Sequence, residues 1–138
     1  AWVQGPTPGP AALWAGVPAF LMTFNLLLLD EFPDEEADRS GGRKNLVLMM
    51  GRKRAALVYA GAAVLTPLSI VAAVAAAVLP VHALAAIVPS LLLAEGITWA
   101  FGDTSAPVPH PALGANVAWN LATNAVLALA LVVAIAQR

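Results

Sequence analysis

The sequence contains no cysteine, and its charges almost cancel: seven basic and eight acidic side chains give a formal net charge of −1. The missing thiols exclude disulfides, zinc–thiolate sites and cysteine nucleophiles, and they leave the redox compartment undetermined. Without an excess of positive charge, nothing in the composition points to a nucleic-acid partner. The function must therefore be inferred from the apolar residues and from the positions of the few charged residues.

Charged residues are also scarce. They make up 11 % of the 138 residues, whereas hydrophobic residues make up 60 %. A typical soluble domain has about 25 % charged residues. The length is that of one domain, and so many apolar side chains exceed what one small core could bury. We therefore predict that the protein is surrounded by lipid.

Four long apolar stretches organise the chain. They cover about residues 11–29, 55–79, 81–101 and 112–136, and their lengths are close to the roughly 20 residues that a membrane-spanning helix needs. Pro80 leaves only a very short turn between the second and third stretches, so these two should be antiparallel neighbours. The predicted fold is all-α, a multi-pass transmembrane helical bundle with four spans.

Most of the charge lies in a single connection, residues 30–54, which holds 12 of the 15 charged residues. Six of the seven basic residues are among them. Because loops rich in Lys and Arg remain in the cytoplasm, this connection is predicted to be cytoplasmic. We interpret Arg52, Lys53 and Arg54 at its end as a topological anchor, and Tyr59 just beyond as an interfacial anchor.

The connection also contains helix stop and start signals. Phe32 precedes Pro33 and is biased away from helical backbone, so the first helix should end near Glu31. Pro33 is suited to open a short second helix. Gly41 and Gly42 then end that helix.

Three aspartates in this region are regularly spaced. Asp30, Asp34 and Asp38 follow one another at i, i+4 and i+8, which on a continuous helix places them on one face. Clustered carboxylates repel one another unless a cation lies between them. Magnesium is commonly held by one or two carboxylates, by waters and by phosphate oxygens of a substrate. The aspartates are therefore predicted to be catalytic and to bind Mg²⁺.

Arg39, Arg43 and Lys44 follow the aspartates and are suited to bind the same phosphates. The plainer alternative is a solvated loop with an acidic helical turn that merely anchors a membrane protein. The ordered aspartates, the Gly-Gly break and the membrane on both sides favour the diphosphate site. A substrate that needs both a charged site and apolar helices has an anionic head and a long lipid tail, as a polyprenyl diphosphate has.

Two polar residues inside the spans are candidates for the substrate pocket. Asn25 either forms an interhelical hydrogen bond or lines the pocket. Glu95 lies in an apolar run, where an ionisable group is costly and indicates function, although its carboxylate could instead reach the membrane interface.

Other polar residues have simpler interpretations. Asn116, Asn120 and Asn124 form an i, i+4, i+8 row, which indicates contact with other helices or a cavity. Asp103 and His110 are interpreted as loop residues on the same side of the membrane as residues 30–54.

The charged connection resembles a known motif. The segment Asp30-Glu-Phe-Pro-Asp34-Glu-Glu-Ala-Asp38-Arg-Ser-Gly-Gly-Arg43-Lys44-Asn-Leu-Val is similar to the second aspartate-rich motif of the UbiA superfamily of intramembrane prenyltransferases. It most resembles the branch that includes the 1,4-dihydroxy-2-naphthoate polyprenyltransferases of menaquinone synthesis. The resemblance extends upstream through Ala1-Trp-Val-Gln-Gly and Ala15-Gly-Val-Pro18 and, more loosely, through the later spans.

The resemblance implies a function and assigns residues to it. It implies Mg²⁺-dependent transfer of a polyprenyl group from a prenyl diphosphate to an aromatic acceptor, in quinone or related lipid biosynthesis. Asp30, Asp34 and Asp38 match metal-binding positions of the motif. Arg43 and Lys44 match the basic pair that often follows it.

One part of the family pattern is missing. The first aspartate-rich motif, of the form Asn-Asp-x-x-x-Asp-x-x-x-Asp, does not occur in the chain. We expect the 138 residues to be the C-terminal half of a UbiA-type fold, cut from a longer enzyme, and to be inactive in isolation. The missing N-terminal half is then a required partner.

Two other classes of membrane protein also carry clustered acidic residues. A CDP-alcohol phosphotransferase needs an Asp-Gly and an Ala-Arg pair before its aspartates, and neither precedes them here. A non-enzymatic membrane protein, such as a divalent-cation transporter or a scaffold fragment, is the main alternative. A transporter would more commonly carry its acids in the middle of its spans, whereas here they cluster in a connection.

Overall fold

The computed structural model describes residues 9–137, and all regular structure in that range is helical. The elements, in order, are α1 (Pro10–Asp30), α2 (Glu35–Ser40), α3 (Leu46–Met50), α4 (Arg52–Ala75), a 3-10 helix (Val81–Leu93), α5 (Ala94–Phe101) and α6 (His110–Ala136). The upstream part of the family resemblance at Ala1-Trp-Val-Gln-Gly lies outside the described residues.

Four segments are long and apolar enough to cross a membrane: Pro10–Asp30, Arg52–Ala75, Val81–Phe101 and His110–Ala136. This confirms the predicted all-α fold with four spans, and it suggests an integral membrane protein. The predicted helix ends are also confirmed: α1 ends at Asp30, next to Glu31, and α2 ends at Ser40, just before Gly41.

The second and third spans differ in detail from the prediction. Helix α4 begins at Arg52 rather than 55 and ends at Ala75, before a turn in which Ala77 has a φ of +56°. The third span is a 3-10 helix over its first 13 residues and becomes α-helical only at Ala94. With about three residues per turn, a 3-10 helix puts every third side chain on one face, and Ala83 and Ala86 are buried accordingly. Pro89 lies within this helix and has no N–H to donate to an α-helical ladder.

The core consists of three stacked clusters. The charged-end cluster surrounds Phe32, Tyr59 and Trp99. The central cluster consists of Met22, Ala63, Leu93 and Trp119, with Ile97 against it. The far cluster lies around Ile70 and Leu127. Because lipid removes the hydrophobic drive for helix association, close packing of small side chains has to hold such a bundle together.

Small residues do line the contacts between helices. Six of the nine buried residues of α4 are alanine, and the other three are Tyr59, Thr66 and Ile70. Many large apolar side chains point outward instead, as Phe20, Leu91 and Leu121 do with 68 %, 78 % and 67 % exposure. An apolar outer surface of this extent is what contact with lipid requires, and it would promote aggregation in water.

Candidate functional site

Asp30 and Asp34 lie where the first span meets the charged connection. Asp30 is the last residue of α1, and Asp34 occupies the N-cap position of α2 with no capping hydrogen bond from its side chain. Both residues are exposed. Only the turn of residues 31–33 separates the two aspartates along the chain.

Asp38 has a different environment. It is only 6 % exposed, and Arg43 Nη1 donates to its Oδ1 at 2.9 Å while Asn45 Nδ2 donates to its Oδ2 at 2.8 Å. The three predicted metal ligands are therefore not gathered around one point. Across residues 9–137, no group of three or more His, Cys, Asp or Glu side chains is placed to hold a metal ion.

The predicted diphosphate-binding bases lie around the aspartates. Arg39 is 61 % exposed and pairs with Glu35 at 2.8 Å. Arg43 is 74 % exposed and reaches Asp38, and Lys44 is exposed. All three are accessible to a ligand from solution, and two of them already neutralise neighbouring carboxylates.

Glu31 and Asn45 shape the connection, and neither was singled out from the sequence. Glu31 Oε2 accepts from the backbone N–H of Leu46 at 2.9 Å, which satisfies an N–H at the start of α3. Asn45 caps the same helix, because its Oδ1 accepts from Leu48 N at 2.8 Å. An Asn before a short apolar run is a start signal that could have revealed α3.

Arg52 is the residue that sequence reasoning missed most clearly. Its guanidinium donates to the carbonyl oxygens of Phe32, Thr104 and Ala106 and to Glu35 Oε2. The interpretation as a plain topological anchor is therefore incomplete. In the sequence nothing distinguishes Arg52 from its neighbours Lys53 and Arg54, which are both exposed.

The connection between the third and fourth spans lies beside the first, as expected, but its backbone makes the contact. Thr104 and Ala106 provide the carbonyls that Arg52 binds. Asp103 instead accepts from the hydroxyl and the backbone N–H of Ser105, and these hydrogen bonds lower the pKa of its carboxyl group.

Two buried asparagines lie, along their helices, between residues of the charged-end and central clusters: Asn25 in α1 and Asn116 in α6. Together with Tyr59 of the charged-end cluster we call them the polar layer. All three residues are fully buried, and Asn116 Nδ2 donates to Tyr59 Oη at 3.5 Å. Tyr59 is thus a core residue, and its interpretation as an interfacial anchor is wrong. Gly96 packs against it so closely that an added Cβ would lie 2.5 Å from Tyr59 Oη.

The two predicted pocket residues lie in opposite surroundings. Asn25 is enclosed between helices, and neither polar atom of its side chain has a partner among the described residues. Glu95 is exposed in the first turn of α5. Neither residue lines the apolar groove of about 350 Å³ between α1 and α4.

A model of the UbiA prenyltransferase family matches residues 1–110, which include the whole charged connection and the first three spans. The chain belongs to the UbiA prenyltransferase family. No curated protein and no solved structure matches it significantly.

Family membership gives the general function. It indicates prenyltransferase activity, with prenyl diphosphate and aromatic substrates and a membrane environment. UbiA prenyltransferases generally use a divalent metal. The alternative of a cation transporter or scaffold is not favoured.

Proposed function

We propose that the charged end of this UbiA-family protein binds a polyprenyl diphosphate with Mg²⁺ and that the protein transfers the polyprenyl group to an aromatic acceptor. The observation that carries this proposal is the pair of exposed carboxylates, Asp30 and Asp34, beside accessible bases at the end of an apolar bundle. The same residues lie within the stretch that matches the family.

The donor set fits magnesium. Mg²⁺ needs only one or two carboxylates when waters and substrate phosphates complete its shell, and Asp30 and Asp34 supply two. Asp38 is proposed as the third ligand, as the resemblance implies. Its Oδ1 is paired with the largely exposed Arg43, so Asp38 can serve the metal once Arg43 has turned to the diphosphate.

The bases are proposed to hold the diphosphate. The planar guanidinium groups of Arg39 and Arg43 and the compact ammonium group of Lys44 can all donate to the phosphate oxygens. When the diphosphate binds, Arg39 and Arg43 would each leave a carboxylate partner and pair with a phosphate. Each guanidinium therefore keeps an anionic partner when it loses contact with water. This exchange keeps the charge balanced while the ligand binds.

The proposed reaction breaks the bond between prenyl C1 and the diphosphate oxygen, and the electron pair leaves with the diphosphate. A ring carbon of the acceptor then bonds to C1 and loses its proton. Magnesium supplies positive charge that stabilises the leaving group. The bases add to that stabilisation, and the apolar helices keep water away from the allylic cation.

The finer assignments follow the motif. The resemblance at residues 30–47 favours an acceptor such as 1,4-dihydroxy-2-naphthoate, and hence a place in menaquinone or related quinone biosynthesis. Asn25 and Glu95 remain proposed pocket residues. The buried, unpartnered amide of Asn25 and the exposed carboxylate of Glu95 both have hydrogen-bonding capacity to offer a substrate.

We also propose that residues 30–54 face the cytoplasm and that a second aspartate-rich segment, from outside the 138 residues, completes the site. The first proposal rests on the six basic residues of this connection. Since the 138 residues contain no cysteine, replacing Ser40 with cysteine provides a single thiol once any cysteine outside these residues is replaced by serine. Labelling of that thiol only from the cytoplasmic side of oriented vesicles is the expected result, and labelling only from the opposite side would refute it.

The proposed function is tested with the complete encoded protein, purified in detergent. We expect it to join a radiolabelled polyprenyl diphosphate to 1,4-dihydroxy-2-naphthoate in the presence of Mg²⁺ and to lose this activity when the metal is chelated. 4-Hydroxybenzoate and homogentisate serve as competing acceptors that test the finer assignment. Release of diphosphate without any prenylated ring, for all acceptors, would contradict the proposal.

A further inference from the structure

We propose that Arg52 is a positioning residue that fixes Asp34 by linking the two connections at the charged end. The inference rests on the proposed function in one respect, namely that Asp34 binds the metal. The link itself rests only on the contacts of the Arg52 side chain. We call this set of contacts the Arg52 clamp; its members are Arg52, Phe32, Glu35, Thr104 and Ala106.

On one side the clamp holds the chain around Asp34. Arg52 Nη1 donates to the carbonyl of Phe32 at 3.1 Å and to Glu35 Oε2 at 3.0 Å. These acceptors lie two residues before Asp34 and one residue after it. The guanidinium carbon also lies 5.5 Å from the centroid of the Phe32 ring, a distance at which a cation is attracted to the ring face.

On the other side the clamp holds the connection between the third and fourth spans. Arg52 Nε donates to the carbonyl of Thr104, and Nη2 donates to that of Ala106 at 3.2 Å. The Ala106 carbonyl accepts a second hydrogen bond, from Trp99 Nε1 at 3.3 Å. The Trp99 and Phe32 rings meet edge to face, 4.8 Å apart. The contacts thus form a closed circuit from Phe32 through Arg52, Ala106 and Trp99.

Only arginine can make these contacts together. Its planar guanidinium carries five N–H groups in a fixed fork, whereas a lysine ammonium carries three donors at one point. The side chains of Arg52 and Glu35 are 25 % and 22 % exposed, so solvent screens this pair less than it screens the outer Arg39. The site around Asp34 therefore depends on the connection between the third and fourth spans. Ala106 in that connection lies 54 positions beyond Arg52.

The experiment compares Arg52→Gln with Arg54→Gln. Both changes remove one positive charge, but Arg54 is exposed and lies outside the clamp. Amide hydrogen exchange is read at Ala106, whose N–H donates to Asp103, and at Asp38, whose N–H donates to Asp34. We expect exchange at both amides to rise about tenfold or more in Arg52→Gln, because hydrogen bonds to a charged group are lost, and to stay unchanged in Arg54→Gln.

Enzyme kinetics supply the second readout. In Arg52→Gln the Mg²⁺ concentration for half-maximal rate should rise by about tenfold, a change equivalent to about 1.4 kcal/mol of binding. Arg52→Lys keeps the charge but should restore only part of this loss. If Arg52→Gln fails to fold, exchange at the same two amides is read in Arg52→Lys, whose single ammonium cannot reach all four acceptors; exchange equal to that of the wild type would reject the clamp.

The outcomes separate this inference from the proposed function. Faster exchange at both amides in Arg52→Gln, together with no prenyltransferase activity in the wild-type protein, would support the clamp and reject the proposed function. Normal activity with equal exchange in Arg52→Gln and Arg54→Gln would reject the clamp and leave the function standing. Faster exchange at Ala106 alone would show that Arg52 holds its connection without positioning Asp34, and this too would overturn the inference.

Discussion

Arg52 and Asn25 are both polar side chains on apolar helices, yet their surroundings are opposite. Arg52 lies at the charged end and donates to three carbonyls and a carboxylate. Asn25 lies fully buried in the polar layer, and none of its side-chain hydrogen-bonding groups finds a partner within residues 9–137. An unsatisfied buried polar group costs about 1–3 kcal/mol.

The contrast shows how each region keeps its shape. At the charged end, directional contacts decide the structure, since Asp38, Glu31 and Arg52 each bind atoms from another part of the connection or beyond it. In the bundle, the close fit of side chains determines the structure, since small residues such as Ala83 and Gly96 allow close helix contacts. Changes of volume should therefore be costly in the bundle, and changes of charge should be costly at the charged end.

The largest effect in the bundle is expected from Gly96→Ala. The new Cβ would lie 2.5 Å from Tyr59 Oη, and overpacking of this kind costs about 1–3 kcal/mol. We expect a lower thermal unfolding temperature, measured by tryptophan fluorescence in detergent. Adding Tyr59→Phe, which removes the clashing oxygen, should recover much of the loss.

Gly61→Ala is the matched control for this change, because nothing lies within 4 Å of a Cβ added there. Helix propensity alone then favours the alanine by up to about 1 kcal/mol. Equal destabilisation at both positions would contradict the role of close packing at Gly96.

A smaller effect is expected from replacing the asparagines of the polar layer. Asn25→Leu removes an unpaired amide and keeps the branching and the number of heavy atoms, so the unfolding temperature should stay the same or rise. Asn116→Leu deprives Tyr59 Oη of a donor and should lower stability by about 0.6 kcal/mol, the average for such bonds in membrane proteins. A clear loss in Asn25→Leu would show that Asn25 has a partner beyond the described residues and would weaken the contrast drawn above.

The same contrast explains what could be predicted from the sequence. The four spans, the end of α1 near Glu31 and the end of α2 before Gly41 follow from local signals: apolar length, Pro33 and the glycines. The 3-10 form of the third span could not be predicted in this way, because apolar length does not distinguish a 3-10 helix from an α-helix, and the burial of Ala83 and Ala86 is visible only in the folded bundle.

At the charged end, the sequence predicts which residues are present near the site but not which of them contact one another. The motif predicts Asp30, Asp34 and Asp38 as site residues, but the sequence does not show that Asp38 is buried against Arg43 and Asn45. The role of Arg52 depends on backbone carbonyls about fifty positions away. Every residue has such a carbonyl, so the sequence does not show which ones Arg52 binds.

The measurement that tests the central claim most directly is the affinity for Mg²⁺ with and without a non-reactive prenyl thiodiphosphate. Calorimetry on the complete protein should show tighter Mg²⁺ binding when the analogue is present. Asp34→Ala should abolish this coupling and turnover without lowering the unfolding temperature, whereas Glu36→Ala should leave both intact, since Glu36 is 92 % exposed. Mg²⁺ binding indifferent to the analogue, or normal turnover in Asp34→Ala, would contradict the account.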